Sequence, residues 1–199
     1  VAKVFLATAS QRDPRVFRIS CTLNEEIDPD TLNEALRSTA QEWPQFQVTL
    51  HRGLFWHYFE STDQLPTAQP ETKAPCAPLY TPERRNKLIY RVTYFGARIN
   101  LEMFHAITDG NGGLLYLKSI VRNYLALRHP GEMENVPSPN SASAGDMAQD
   151  SFRNFYEGTK RKKPAEKPKV YHPHGFLPYS QLQFFEGHLS SKQVLERSH

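Results

Sequence analysis

Hydrophobic and polar residues alternate along several short stretches of the chain, and this alternation predicts β-strands with one buried face. The Gly96-Ala97 pair lies between two such stretches and predicts a tight hairpin turn. Arg52-Gly53 interrupts another pair and predicts a second hairpin. The predicted strands cover residues 4–9, 17–23, 46–50, 55–59, 88–95, 98–104 and 181–189.

Other stretches have the apolar spacing of helices. Asp28 and Pro29 predict the start of the first helix, because aspartate caps a helix and proline suits its first position. The long helix after the glycines stops at His129-Pro130-Gly131, and a last one follows Ser190. The predicted helices cover residues 29–43, 114–128, 152–156 and 191–196. The order of elements predicts an α+β fold in which helices pack on a mostly antiparallel sheet.

Composition limits the kinds of partner. The chain has 199 residues, of which 39% are hydrophobic, so it can bury a core. Its net charge of +3 is too small to indicate nucleic acid or a membrane surface as a partner. No apolar run approaches the ~20 residues of a membrane span. Cys21 and Cys76 are predicted to be free thiols, and the lack of a disulfide pattern or signal sequence predicts a cytoplasmic protein.

The candidate chemistry lies where a predicted strand meets the long helix. His105 continues the side-chain parity of Leu101 and Met103, so we expect its imidazole on the apolar face of the strand. A neutral imidazole there can take a proton from a hydroxyl or amine that attacks a carbonyl group. Asp109 either caps the helix or pairs with an arginine. Gly110 and the glycines after it leave space for a substrate near the imidazole.

The stretch His105-Ala106-Ile107-Thr108-Asp109-Gly110 resembles the His-x-x-x-Asp-Gly signature of the coenzyme-A-dependent acyltransferase superfamily. This superfamily includes chloramphenicol acetyltransferases, alcohol acetyltransferases and the condensation domains of peptide synthetases. The residues before and after the stretch agree, with a strand ending in Glu-Met-Phe and a helix opening with Asn-Gly-Gly-Leu-Leu. Residues 17–20, 27–32 and 52–56 are similar to bacterial alcohol-acetyltransferase-like proteins.

The resemblance implies a chloramphenicol-acetyltransferase-like fold of two halves that meet at a tunnel. Since the signature lies near the middle of the chain, the chain is similar to the N-terminal half of a double-length member. Residues 1–189 are therefore expected to form an N-terminal acyltransferase subdomain, and residues 190–199 the start of a truncated second subdomain.

The resemblance also implies roles for individual residues. His105 would be the general base, Asp109 a structural residue paired with an arginine, and Gly110 the residue that completes the turn. The candidate partners of Asp109 are Arg12, Arg15 and Arg18.

The expected activity is transfer of an acyl group, with acetyl favoured, from acyl-CoA to a hydroxyl group. Acyl-CoA would be a co-substrate, and no bound cofactor is expected. The expected partners are a small alcohol and the missing C-terminal half, without which the 199 residues would have little activity. A condensation-like domain that uses a carrier-protein thioester is an alternative, which is weakened because Phe104 replaces the first histidine of the usual pair. A non-catalytic binding module on the same scaffold is the other alternative.

A metal site is not expected. His172 and His174 are separated only by Pro173, and no cysteine or acidic residue stands at ligand spacing beside them.

Overall fold

The structure is a computed structural model of the chain, and it describes residues 5–6, 8–10, 13–54, 56–80, 86–133, 136, 174 and 187–198. The chain divides into two compact units, Val1–Lys160 and Arg161–His199. The predicted boundary between residues 189 and 190 stays a prediction. The helix predicted at 152–156, most of the strand predicted at 181–189, and His172 lie outside the described residues.

Two β-sheets are described in the first unit. Their strands are β1 (Val16–Thr22), β2 (Val48–Arg52), β3 (His57–Ser61), β4 (Gln69–Pro70), β5 (Tyr90–Phe95) and β6 (Arg98–Phe104). One sheet is four-stranded in the order β1-β6-β5-β4, and the other is the two-stranded β2-β3 hairpin. All neighbouring strands are antiparallel except β4 and β5, which are parallel.

Both predicted hairpins are confirmed. β5 and β6 are joined by Gly96-Ala97, and Gly96 has a φ of +53°, a conformation that glycine adopts without steric cost. Phe17 of β1 lies opposite Met103 of β6, so their side chains share one face of the sheet.

The structure describes helices α1 (Pro29–Glu42), α2 (Gly110–Arg128) and, in the second unit, α3 (Ser191–Ser198). The start of α1 is as predicted, because the Asp28 side chain accepts a hydrogen bond of 2.8 Å from the Thr31 N–H. α1 and α2 cover the sheet face that contains Leu101 and Met103. The indole N–H of Trp43 donates to the Ser119 hydroxyl at 3.0 Å and joins the end of α1 to α2. The α+β fold class predicted from the sequence is confirmed.

The strand predicted over residues 4–9 is wrong. Phe5, Leu6 and Thr8 are helical, and the Ala9 N–H donates to the Phe5 carbonyl at 2.9 Å, which is a helical hydrogen bond. A short continuous apolar run has no period that separates a strand from a helical turn, so the sequence could not decide between them.

None of the helices among the described residues is both long and apolar enough to cross a bilayer.

Candidate functional site

His105 lies directly after β6, in the turn that leads to α2, and its side chain is half-buried. Its backbone N–H donates to the Arg15 carbonyl at 2.8 Å, which extends the pairing of β1 with β6 by one step. The end of the sheet therefore fixes the backbone that carries the imidazole.

Two aromatic rings contact the imidazole of His105. Phe5 stacks on its face, with ring centroids 4.4 Å apart and planes inclined by 9°. Phe17 meets it edge-on, with centroids 5.0 Å apart and planes inclined by 60°. The Nδ1 atom of His105 is buried and has no hydrogen-bond partner among the described residues. The predicted apolar surroundings of this imidazole are thus present, although Phe5 reaches it from a helical turn.

Asp109 caps α2. Its side-chain Oδ1 accepts from the Gly112 N–H at 2.9 Å, and its carbonyl accepts from the Gly113 N–H at 3.0 Å. This carboxylate is exposed and lies at the positive end of the helix dipole, where a negative charge is favourable. Of the two roles that the sequence left open for Asp109, the geometry shows the cap.

The candidate arginine partners of Asp109 are placed differently. Arg15 pairs with Asp13 at 3.1 Å, and Arg18 pairs with Glu71 and Glu102. Arg12 lies outside the described residues. The pairing of Asp109 with an arginine stays a prediction.

The glycines at the start of α2 do not share one role. A Cβ atom at Gly110 would meet no atom within 4 Å, whereas one at Gly113 would lie 2.8 Å from Cε2 of Phe17. Neither residue has a positive φ. Gly113 is therefore required by the close approach of Phe17, the ring that touches His105, and backbone conformation does not demand it.

Phe104, the residue directly before His105, is 3% exposed. Successive side chains of a strand point to opposite faces, so Phe104 packs away from the α2 side, in a second core cluster. That cluster also contains Leu50, Leu79, Ile89 and Ala106. An apolar ring suits this position because its surroundings are apolar.

An ionic cluster that the sequence did not reveal lies on β1, β5 and β6. Glu102 is fully buried and pairs with Arg18 and Arg91, its cross-strand neighbours on either side. Glu71 pairs with Arg18 and Arg98. The sequence does hold residues of opposite charge on these three strands. They can be recognised as partners only when the register that places them opposite one another is known.

The charges of this cluster support one another. Burial alone would raise the pKa of Glu102, but hydrogen bonds from the Cys76 N–H, Arg91 and Arg18 outweigh burial and hold the pKa below its ordinary value. Burial would also raise the pKa of Glu71. Hydrogen bonds from Arg98 and Arg18 outweigh burial, so the pKa of Glu71 is lowered. Both carboxylates are therefore ionised at neutral pH.

Open grooves among the described residues include one of about 320 Å³ between Leu65 and Tyr90. Another, of about 330 Å³, lies between Pro44 and Asp63. His105 lines neither groove.

The fold of the chain is similar to that of solved structures. No family model and no curated protein sequence matches the chain. The starter condensation domain of rhizomide synthetase RzmA matches with a TM-score of 0.50 and 13% identity, over 64% of this chain and 37% of that one. The chain has a condensation-domain-like fold. This fold is the chloramphenicol-acetyltransferase-like fold predicted from the sequence.

Two further solved structures match at lower TM-scores. The X-domain from teicoplanin biosynthesis has a TM-score of 0.48 and 14% identity, over 71% of this chain and 32% of that one. Polyketide synthase associated protein 5 from Mycobacterium tuberculosis has a TM-score of 0.47 and 15% identity, over 68% of this chain and 34% of that one. The match thus spans about a third of each of these solved structures.

Proposed function

We propose that the protein transfers an acyl group from a thioester to a nucleophilic acceptor, with His105 as the general base. The resemblance of the sequence favours acyl-CoA as donor and a hydroxyl group as acceptor, with acetyl as the acyl group. The condensation-domain-like fold adds support for a thioester on a carrier protein. Both donors present the same reacting bond, so the chemistry required of the imidazole is the same.

The placement of His105 is the observation that carries this proposal. The imidazole is half-buried at the end of β6, contacts the rings of Phe5 and Phe17, and has its Nδ1 atom buried. The other ring nitrogen, Nε2, is then the atom that takes the proton. A base positioned in this way contributes roughly 10²–10⁴-fold to the rate.

The proposed reaction is direct transfer without an acyl-enzyme intermediate. Nε2 of His105 accepts the proton of the acceptor hydroxyl while the hydroxyl oxygen attacks the thioester carbonyl. The tetrahedral intermediate expels the thiolate, which takes the proton from the imidazolium. Asp109 holds the N-terminus of α2 beside this turn and takes no proton.

The test uses the protein expressed from its full reading frame. It compares the wild type with His105→Gln and with the control variant His129→Gln. The His129 ring is a suitable control because it pairs with Glu25 at the far end of α2. Acetyl-CoA with a series of primary alcohols tests one donor, and an acetylated carrier protein tests the other. Thiol release that falls by about 10²-fold or more in His105→Gln alone supports the proposal. Equal release by the wild type and His105→Gln contradicts it.

A non-catalytic binding module is the second candidate. Phe5 covers a face of the imidazole, and neither groove reaches His105, so the observations also fit a scaffold whose histidine is a packed residue. Diethyl pyrocarbonate separates the two candidates, because it acylates accessible neutral imidazoles. Modification of His105, mapped by mass spectrometry and slowed by CoA, favours the enzyme, whereas protection of His105 in the free protein favours the binding module.

A further inference from the structure

The rings around His105 come from parts of the chain that are distant in sequence. Phe5 belongs to the helical turn before β1, and Phe17 belongs to β1 itself. Their contacts differ in geometry, since Phe5 lies parallel to the imidazole and Phe17 lies across its edge. Rings packed against the face and the edge of an imidazole oppose different motions of it, so two such contacts limit its orientation more than one would.

Gly113 of α2 lies against the Phe17 ring. Besides its close approach to Cε2, a Cβ atom at this position would lie 2.9 Å from Cζ of Phe17 and 3.4 Å from Cδ1 of Ile19. The absence of a side chain at Gly113 therefore allows the Phe17 ring to reach its place beside His105. The path of contact runs from α2 through Phe17 to the imidazole.

We propose that Phe5 and Phe17 are positioning residues that clamp the His105 imidazole, and that Gly113 sets the position of Phe17. This inference rests on the proposed role of His105 as a base. The efficiency of a general base depends on its distance and direction from the proton it removes. Displacement of a reacting group by about 1 Å can cost on the order of 10²-fold in rate. The clamp therefore acts on turnover through the orientation of the ring.

The first experiment measures the clamp without any substrate. The Cε1–H resonance of His105 is assigned by its absence in His105→Gln. A stacked ring shifts the resonance of a neighbouring proton, so Phe5→Leu is expected to move this resonance and Phe5→Tyr to leave it nearly in place. An unchanged resonance in Phe5→Leu overturns the clamp, whatever the activity of the protein.

The second experiment measures acetyl-CoA turnover by the same variants. Phe5→Leu and Phe17→Leu are expected to lower kcat about tenfold with KM within about twofold, and Phe5→Tyr to restore kcat. A change in KM alone, or a loss that Phe5→Tyr does not restore, overturns the positioning role. If His105→Gln has full activity, the proposed function fails, and the resonance measurement still decides whether the clamp exists.

The third experiment tests the link through Gly113 with a double-mutant cycle. Gly113→Ala is expected to lower kcat by crowding the Phe17 ring, and the smaller side chain of Phe17→Leu is expected to relieve that crowding. The two substitutions should therefore be strongly non-additive. Lys118→Ala, at an exposed position of the same helix, is the control and should leave kcat unchanged. Additive effects of Gly113→Ala and Phe17→Leu contradict the link.

Discussion

Gly113 shows, at the scale of single residues, how a position without a side chain shapes the candidate site. Three glycines follow Asp109 within four residues, and the sequence suggested a common purpose, which was to admit a substrate. The structure separates them, because only a Cβ at Gly113 would press on the Phe17 ring, while one at Gly110 would meet nothing. The sequence could not show this difference, since Phe17 is brought to α2 by the pairing of β1 with β6.

The first prediction follows from this contrast. Gly113→Ala is expected to lower the free energy of unfolding by about 1–3 kcal/mol, because the added methyl group overpacks against Phe17. Gly110→Ala is expected to leave stability unchanged or slightly raised, because alanine is the better helix former. Denaturant unfolding of both variants measures the difference. Equal stabilities would show that the Phe17 contact is not tight.

Glu102 carries the second prediction. Glu102→Gln leaves Arg18 and Arg91 beside a neutral group, and breaking a buried pair in this way is expected to cost about 3 kcal/mol. Glu34→Gln, on the exposed side of α1, is the control and is expected to have no such effect. Urea unfolding at neutral pH compares the two. A loss in Glu102→Gln no larger than in the control would contradict the role of the cluster.

The same carboxylate gives a prediction for pH. Its pKa is lowered in the folded state, so its contribution to stability is complete above the unfolded value of about 4.3 and is lost as pH falls through the lower folded value. The wild type should therefore lose stability on acidification below about pH 5, and Glu102→Gln should lose less. Unfolding measured across this range checks the slopes, and parallel slopes would refute the assignment.

At the scale of elements, the capped start of α1 was the most predictable feature. Asp28 and Pro29 predict the first turn of α1, because capping depends on residues that are neighbours in sequence. The same local rule gave Asp109 as a possible cap of α2. The helical turn at Phe5 was not predictable, because its alternative as a strand has the same apolar composition.

The cap of α2 gives the third residue to test. Asp109→Ala is expected to lower the free energy of unfolding by about 1 kcal/mol, whereas Asp109→Asn should keep most of the cap. Thermal unfolding of both variants measures this order. If Asp109→Asn destabilises the protein as much as Asp109→Ala, the charge of Asp109 matters beyond the cap, and an arginine partner becomes the better explanation.

At the scale of the whole molecule, alternation and hairpin turns predicted most of the main sheet, since both are local signals. The parallel contact of β4 with β5 and the ionic cluster depend on pairings between distant segments, which no local pattern encodes. The position of His105 on the face of Met103 followed from strand parity, but the stacking of Phe5 on it required the folded chain. The condensation-domain-like fold is consistent with the proposed chemistry but does not by itself establish it, because one fold serves many activities.

The most direct measurement is thioester turnover by the protein expressed from its full reading frame, with and without His105→Gln. We expect the wild type to release thiol from acetyl-CoA or an acetylated carrier protein. We expect His105→Gln to reduce this rate by about 10²-fold or more while its unfolding curve is unchanged. Unchanged thiol release by a folded His105→Gln variant would contradict the role of His105 as the general base.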